Sequence, residues 1–197
     1  MPHARKDILT WLPGIYYNIY NRGARQGNIF REPANYLFVI ARMKRYAREL
    51  SISVICYCLM PNHYHFLLRQ DGEAPAGLLS QRVFNSYTKA YNKRYEQSGT
   101  LFEHRFQAKA IKTSEHLLQL CRSIHANPVK DGLVADPADW PYSNYLDWIG
   151  ERNGALLDRT FIREQFASVA DYKAFVLDYL RSRALPEDVQ RYLNSLT

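Results

Sequence analysis

Apolar and polar positions along the 197-residue chain alternate between a strand-like period and a helical one several times. Residues 14–20 (Gly-Ile-Tyr-Tyr-Asn-Ile-Tyr) are rich in aromatic and β-branched side chains and run into Asn21-Arg22-Gly23, a turn signal, so a first strand is predicted there. After Pro33, the residues Tyr36, Leu37, Ile40, Met43 and Ala47 recur at helical spacing, with Arg42, Lys44, Arg45 and Arg48 between them. That pattern predicts a basic amphipathic helix ending near Leu50. Residues 51–59 read as a buried strand, Met60-Pro61-Asn62 as a turn, and 63–69 as the hairpin partner. A second helix over 78–95 follows from Leu79, Val83, Tyr87, Tyr91 and Tyr95, with Gly99 as its breaker. Residues 108–113 suggest a short fourth strand, and Ser114 with Glu115 opens a third helix. That helix is expected to stop before Pro128, because the residue preceding a proline avoids the helical region.

The order strand, helix, strand, strand, helix, strand is the split βαβ arrangement, so the fold class is α+β with a ferredoxin-like antiparallel sheet. Helices are expected on one face and a ligand on the other. Beyond Trp140 the chain holds aromatic turns and then short helices over 160–165, 170–183 and 187–196, read as a helical appendage. No repeat, low-complexity tract or long Gly/Ser linker interrupts it. The predicted organisation is a domain over 1–148 and a tail over 149–197.

Hydrophobic residues make up 47% of the chain and charged residues 23%, which excludes a disordered tail protein, a collagen-like chain and a coiled-coil rod. No apolar run reaches the length of a membrane span and Met1–Asp7 lacks a signal-peptide core, so a cytoplasmic protein is expected, with no membrane partner. Three cysteines, Cys56, Cys58 and Cys121, fit a reducing compartment better than a disulfide framework. The net charge of +7 is unevenly placed: residues 1–112 carry 17 Lys and Arg against 7 Asp and Glu, and residues 113–197 carry 9 against 12. A polyanion would sit on the first part.

His63-Tyr64-His65 carries the most chemical information. Two residues apart on a strand, both imidazoles face the same way and converge on one ion of the Mn²⁺, Zn²⁺ or Mg²⁺ class. A plainer reading leaves both histidines on a solvated strand, and another closes a structural zinc site with Cys56 and Cys58. In the third helix Ser123 and Asn127 are four apart and share a face. The amide oxygen of Asn127 could complete a metal site, or Asn127 could simply cap the helix before Pro128.

Four motifs then occur in order: Met60-Pro61-Asn62-His63-Tyr64-His65-Phe66-Leu67-Leu68; Gly99-Thr100-Leu101-Phe102 with Arg105-Phe106; Ile124-His125-Ala126-Asn127-Pro128-Val129 with Gly132-Leu133-Val134; and Trp140-Pro141-Tyr142-Ser143-Asn144-Tyr145. Together they resemble the REP-associated tyrosine transposases, a branch of the single-tyrosine HUH transposases, over about residues 14–148. The resemblance implies cleavage and rejoining of single-stranded or hairpin DNA through a 5′-phosphotyrosine link. It implies a divalent ion, Mg²⁺ or Mn²⁺, held by His63, His65 and Asn127.

The family's catalytic tyrosine stands immediately before the Ile of the third motif, and here that position is Ser123. A serine Oγ stops roughly 4 Å short of a tyrosine hydroxyl on the same backbone. The chain is therefore expected to be a transposase relative defective in nicking, with three explanations left open: natural loss in a non-catalytic DNA-binding or regulatory descendant, a deliberate Tyr→Ser change, or another tyrosine taking over. Tyr87, Tyr91 and Tyr95 form one helical stripe that could supply such a tyrosine or serve only for packing. Arg22, Arg25, Arg42, Arg45, Arg82, Lys89, Lys93, Arg94, Arg105 and Lys109 are the expected DNA contacts. The resemblance leaves monomer and homodimer both open.

Overall fold

A computed structural model of the chain describes residues 9–156, 158–182 and 191. The expected 187–196 helix apart from residue 191, residue 183 at the end of the helix before it, and the N-terminal residues 1–7 lie outside this set. Four strands, β1 (Tyr16–Arg22), β2 (Ile52–Leu59), β3 (His63–Gln70) and β4 (Gln107–Ile111), form one antiparallel sheet in the order β2-β3-β1-β4. This is the ferredoxin-like order. β1 runs two residues further than its turn signal suggests, because as a central strand it keeps pairing to Arg22↔His63. It stops at Gly23, where a Cβ would collide with the carbonyl oxygen of Gly27.

Helices α1 (Pro33–Glu49) and α2 (Gly77–Arg94) pack on one face of the sheet. Pro33 occupies the first turn of α1, where no N–H is needed. Tyr17, Ile19, Tyr64, Phe66 and Leu68 project from the sheet to meet Val39, Met43, Leu79, Val83 and Tyr87 in one core.

The opposite face, expected to be left to a ligand, carries a second core. Helix α3 (Ser114–Lys130), the short α4 (Tyr145–Trp148), α5 (Arg159–Gln165) and α6 (Val169–Ser182) bury Ile55, Cys56, Cys58, Leu67 and Ile111. The physical reason is the sequence of β2, where a register shift between Val54 and Cys56 turns apolar side chains to both faces. Such a strand demands cover on both sides. Tyr172, Val176 and Tyr179 give α6 the apolar stripe that packs on this core.

α3 opens at Ser114 as expected, with Thr113 capping it by accepting a bond from the His116 N–H at 3.2 Å. The expected end is corrected: the helix does not stop before Pro128 but runs through it to Lys130. Pro128 lies in the last turn, so its missing N–H removes only a single ladder bond. The true stop signal is Gly132, at φ +70°. Its N–H bonds Val129 O at 3.1 Å and the Leu133 N–H bonds Pro128 O at 2.9 Å, a glycine-terminated helix end.

The motif after Trp140 closes an edge. Leu59 N–H donates to Tyr142 O at 3.0 Å and Asn144 N–H to Tyr57 O at 3.3 Å, so residues 142–144 lie against β2 like a stub of a fifth strand. Tyr142 stacks on Tyr36 of α1 with centroids 3.8 Å apart.

Candidate functional site

A cavity of about 640 Å³ opens between α3 and the exposed half of the sheet. Its floor follows from strand alternation: Asn18, Tyr20 and Arg22 of β1, His63 and His65 of β3, and Gln107 of β4 share one face. Leu120, Ser123, Ile124, Asn127 and Lys130 of α3, with Asp131 just beyond its end, form the roof. The rim is made by Gln26, Asn62, Glu103, His104 and Arg105.

The loops of the rim are knitted together. Gly23 N–H donates to Asn62 O at 2.7 Å, Ala24 N–H to Leu101 O at 3.1 Å, and Glu103 N–H to Arg22 O at 3.1 Å. Arg22 also pairs with Glu103 at 2.5 Å, and the Asn21 amide donates to His104 O at 3.0 Å. Arg25 and Gln26 both hold left-handed backbone, φ 55° and 58°, at a cost on the order of 1 kcal/mol each. The surrounding bonds hold that turn in place.

The two imidazoles stand with ring centroids 5.2 Å apart and planes at 84°. Burial holds the His63 pKa below its usual value, with Asp131 opposing and Lys130 reinforcing. Burial, then His63 and then Lys130 push His65 down to about 3. Both rings are therefore neutral at pH 7. His63 Nδ1 lies 2.8 Å from Asn62 Oδ1, an oxygen that only accepts, so Nδ1 carries the hydrogen and Nε2 keeps a free lone pair. His63, His65 and Asn127 line the same cavity, and neutral imidazole nitrogens with an amide oxygen are of the borderline donor type that could hold Mn²⁺, or Mg²⁺ with further substrate oxygens. Among the described residues no group of three His, Cys, Asp or Glu gathers as a metal cluster. The zinc alternative with Cys56 and Cys58 lacks its geometry: Cys58 Sγ contacts Met60 Sδ at 3.5 Å, and Cys56 Sγ faces His125 at 3.2 Å.

Ser123 is 3% exposed and lies one helical turn before Asn127, both lining the cavity. Asn127 is a helix residue rather than a cap, since Asp131 N–H bonds its carbonyl at 2.9 Å within the continuing turn. The tyrosine stripe of α2 is on the other face of the sheet. Tyr87 donates to Ile29 O at 2.5 Å, Tyr91 to Asn28 O at 3.4 Å, and Tyr95 to Glu32 at 2.9 Å. Those hydroxyls belong to the α1–α2 core.

The predicted cations divide in the same way. Arg22 and Arg105 line the cavity, Lys109 shares the sheet face of the histidines, and Arg25 sits in the rim turn. Arg42, Arg45, Arg82, Lys89, Lys93 and Arg94 ride on α1 and α2, which cover the opposite face. Several of these are engaged locally: Arg45 with Glu49 at 2.7 Å, Arg82 with Glu49 at 3.7 Å, Arg94 with Glu32 at 2.6 Å, and Arg42 over the Phe38 ring. Tyr20, Lys130 and Asp131 were not singled out from sequence. The strand register could have found Tyr20, since it is the direct partner of His65.

No family model matches the chain. A Haemophilus influenzae protein named as a REP-associated tyrosine transposase is 29% identical over 113 residues, covering 52% of this chain and 64% of that protein. The match thus spans just under two thirds of that relative's length. A solved structure of a REP-associated tyrosine transposase bound to a REP hairpin superposes with a TM-score of 0.63 at 18% identity, over 76% of this chain and 86% of that one. A Deinococcus radiodurans protein described as a transposase aligns loosely, with a TM-score of 0.41 and 12% identity over 64% of this chain and 97% of that one. The chain resembles the REP-associated tyrosine transposases in sequence and shares their fold.

Proposed function

We propose that the chain is a transposase-like protein that binds single-stranded or hairpin DNA and seats a phosphate of it between the histidine pair and α3. The observation that carries this reading is the cavity itself, in which two neutral imidazoles, Asn127, Arg22 and Arg105 converge. The histidines and Asn127 would hold a divalent ion, Mg²⁺ or Mn²⁺. Such an ion, when bound, draws charge from a non-bridging phosphate oxygen and so assists displacement at phosphorus. Arg22 and Arg105 supply the positive rim for the flanking phosphates, and the fixed loops around Gly23 and Asn62 orient the strand.

The reaction this scaffold suits is metal-dependent strand cleavage and transfer through a 5′-phosphotyrosine, with the family's helix position occupied by Ser123. Ser123 favours a second reading, in which the chain binds DNA without cutting it. Fluorescence anisotropy with a labelled hairpin carrying single-stranded flanks tests the binding common to both. Binding that prefers the hairpin over a blunt duplex of equal length supports the proposal, and equal or absent binding refutes it. Incubating the Ser123→Tyr variant with Mn²⁺ and the same hairpin separates the two: a covalent adduct marks a cleavage scaffold, and its absence leaves a binding protein.

A further inference from the structure

Among the described residues Tyr20 is the one tyrosine that lines the cavity; its unpartnered hydroxyl is shared with the buried Tyr145, which lies outside that lining. Buried tyrosines ordinarily find a partner for the O–H. Tyr17 donates to Thr10 O, Tyr64 shares a bond with Ser80, Tyr87 donates to Ile29 O, and Tyr172 bonds His125. Tyr20 is half-buried and makes no such bond among the described residues, although burial disfavours its phenolate. It faces the cavity that holds His63, His65, Ser123 and Asn127. Its ring lies beside His65 with centroids 5.8 Å apart and planes at 23°, and the two residues are paired across β1 and β3.

Across the cavity, α3 offers only a small side chain at Ser123. Ser123 leaves the volume that a large residue on α3 would fill, and the ring of Tyr20 rises from the sheet floor into the same cavity. We propose that Tyr20 is the nucleophile of this chain, the attacking hydroxyl having moved from helix to strand. This rests on the functional reading above. Tyr20 Oη attacks the phosphorus and forms a P–O bond, while the bond from phosphorus to the 3′-oxygen of the preceding nucleotide breaks. The phenolic proton leaves to water, the departing 3′-oxygen takes a proton from water, and the 5′-phosphate remains on Tyr20. No oxidant or reductant is needed. The strand backbone fixes Tyr20 on both sides, through pairing with His65 and with Gln107. An aligned nucleophile on a rigid element is what phosphoryl displacement requires.

The test uses the full chain, Mn²⁺ and a hairpin oligonucleotide with single-stranded flanks. The chain as it stands should yield a covalent adduct on a denaturing gel, and fragmentation of the peptide spanning residues 7–22 should place it on Tyr20 rather than Tyr16 or Tyr17. Tyr20→Phe keeps the ring and removes only the hydroxyl, and should lower adduct yield by about 100-fold or more. A measurement independent of cleavage accompanies it: Mn²⁺ should broaden the Tyr20 ring signals in NMR spectra, assigned by their loss in Tyr20→Phe, and His63→Ala should abolish the broadening. An adduct on another tyrosine, or none on this chain while Ser123→Tyr forms one, overturns the proposal and leaves the scaffold reading intact. Absence of hairpin binding by the unaltered chain overturns both.

Discussion

His125 of α3 and Asn144 of the edge-closing segment are bonded side chain to side chain, Nε2 to Oδ1, at 2.9 Å. The amide is locked in place, because its Nδ2 donates to Ile55 O at 2.9 Å and its Oδ1 also accepts from the Tyr57 N–H at 2.8 Å. Oδ1 therefore accepts from His125, Nε2 carries the hydrogen, and the bare Nδ1 accepts from the Tyr172 hydroxyl at 2.5 Å. One neutral imidazole thus ties the helix bearing Ser123 and Asn127 to the bulged strand β2, to residues 142–144 and to α6. The tail sets the position of the cavity roof.

Replacing His125 with Ala should lower stability by about 3 kcal/mol, since it opens a cavity and strands two buried polar groups. Tyr172→Phe should cost about 1 kcal/mol, the loss of a single bond. Urea unfolding curves measure both. Equal stability of His125→Ala and the unaltered chain would show that the network does not hold α3.

Stability should also fall on mild acidification. Burial lowers the His125 pKa to about 4, below the ordinary histidine value, so the unfolded chain binds the proton that the folded chain refuses. The stabilisation is complete above about pH 6.5 and is lost as the pH falls toward 4, at up to about 1.4 kcal/mol per pH unit. Urea midpoints measured between pH 7 and 5 should drop for the unaltered chain and drop less steeply for His125→Gln, the buried His63 and His65 keeping the rest of the dependence. A flat profile in the unaltered chain would contradict the buried neutral imidazole.

The histidine pair makes its own prediction. Titration calorimetry with Mn²⁺ at pH 7 should show binding that weakens by at least about tenfold in His63→Ala and in His65→Ala. Asn62→Ala, which frees the His63 ring from its orienting bond, should weaken it by a smaller factor. Unchanged affinity in both histidine variants would remove the metal from the site.

Cations around the cavity should matter more for DNA than those on α1 and α2. Arg105→Ala should weaken hairpin binding and lower the slope of log affinity against log salt by about one. Lys89→Ala, on the helix covering the far face, should change affinity by less than about twofold, within the range of an unengaged surface charge. The reverse ranking in anisotropy titrations would move the DNA to the other face.

Asp147 and Arg152 form a bidentate pair that also reaches the Pro141 and Ser143 carbonyls. The carboxylate is buried while the guanidinium is one-third exposed. Asp147→Ala should cost about 2–3 kcal/mol by leaving that guanidinium without its counter-charge, again read from denaturant midpoints. No loss would mean that residues 141–154 are held by apolar packing alone.

The sheet, its strand order and both covering helices were legible in the chain because alternation and helical spacing are local signals. The His63/His65 pair was legible for the same reason, since residues two apart on a strand must share a face. The proline at 128 points to a helix end there, but in the last turn it removes one bond, which the glycine-terminated end at Gly132, four residues on, more than offsets. The second core was not foreseen: β2 reads as a buried strand, but which elements cover its second face depends on a bulge and on contacts more than a hundred residues apart. The cations looked equivalent along the sequence, and only packing separated the ones beside the histidines from those behind the sheet. Tyr20 was hidden for a related reason. Its own segment shows an aromatic strand residue, whereas its place opposite His65 and in one cavity with Ser123 exists only once β1, β3 and α3 are assembled. Sequence alone thus determined the elements and the chemical types of the site, through periodicities of a few residues. The tertiary structure decided which of those residues meet, because long-range pairing and burial set the cavity's contents.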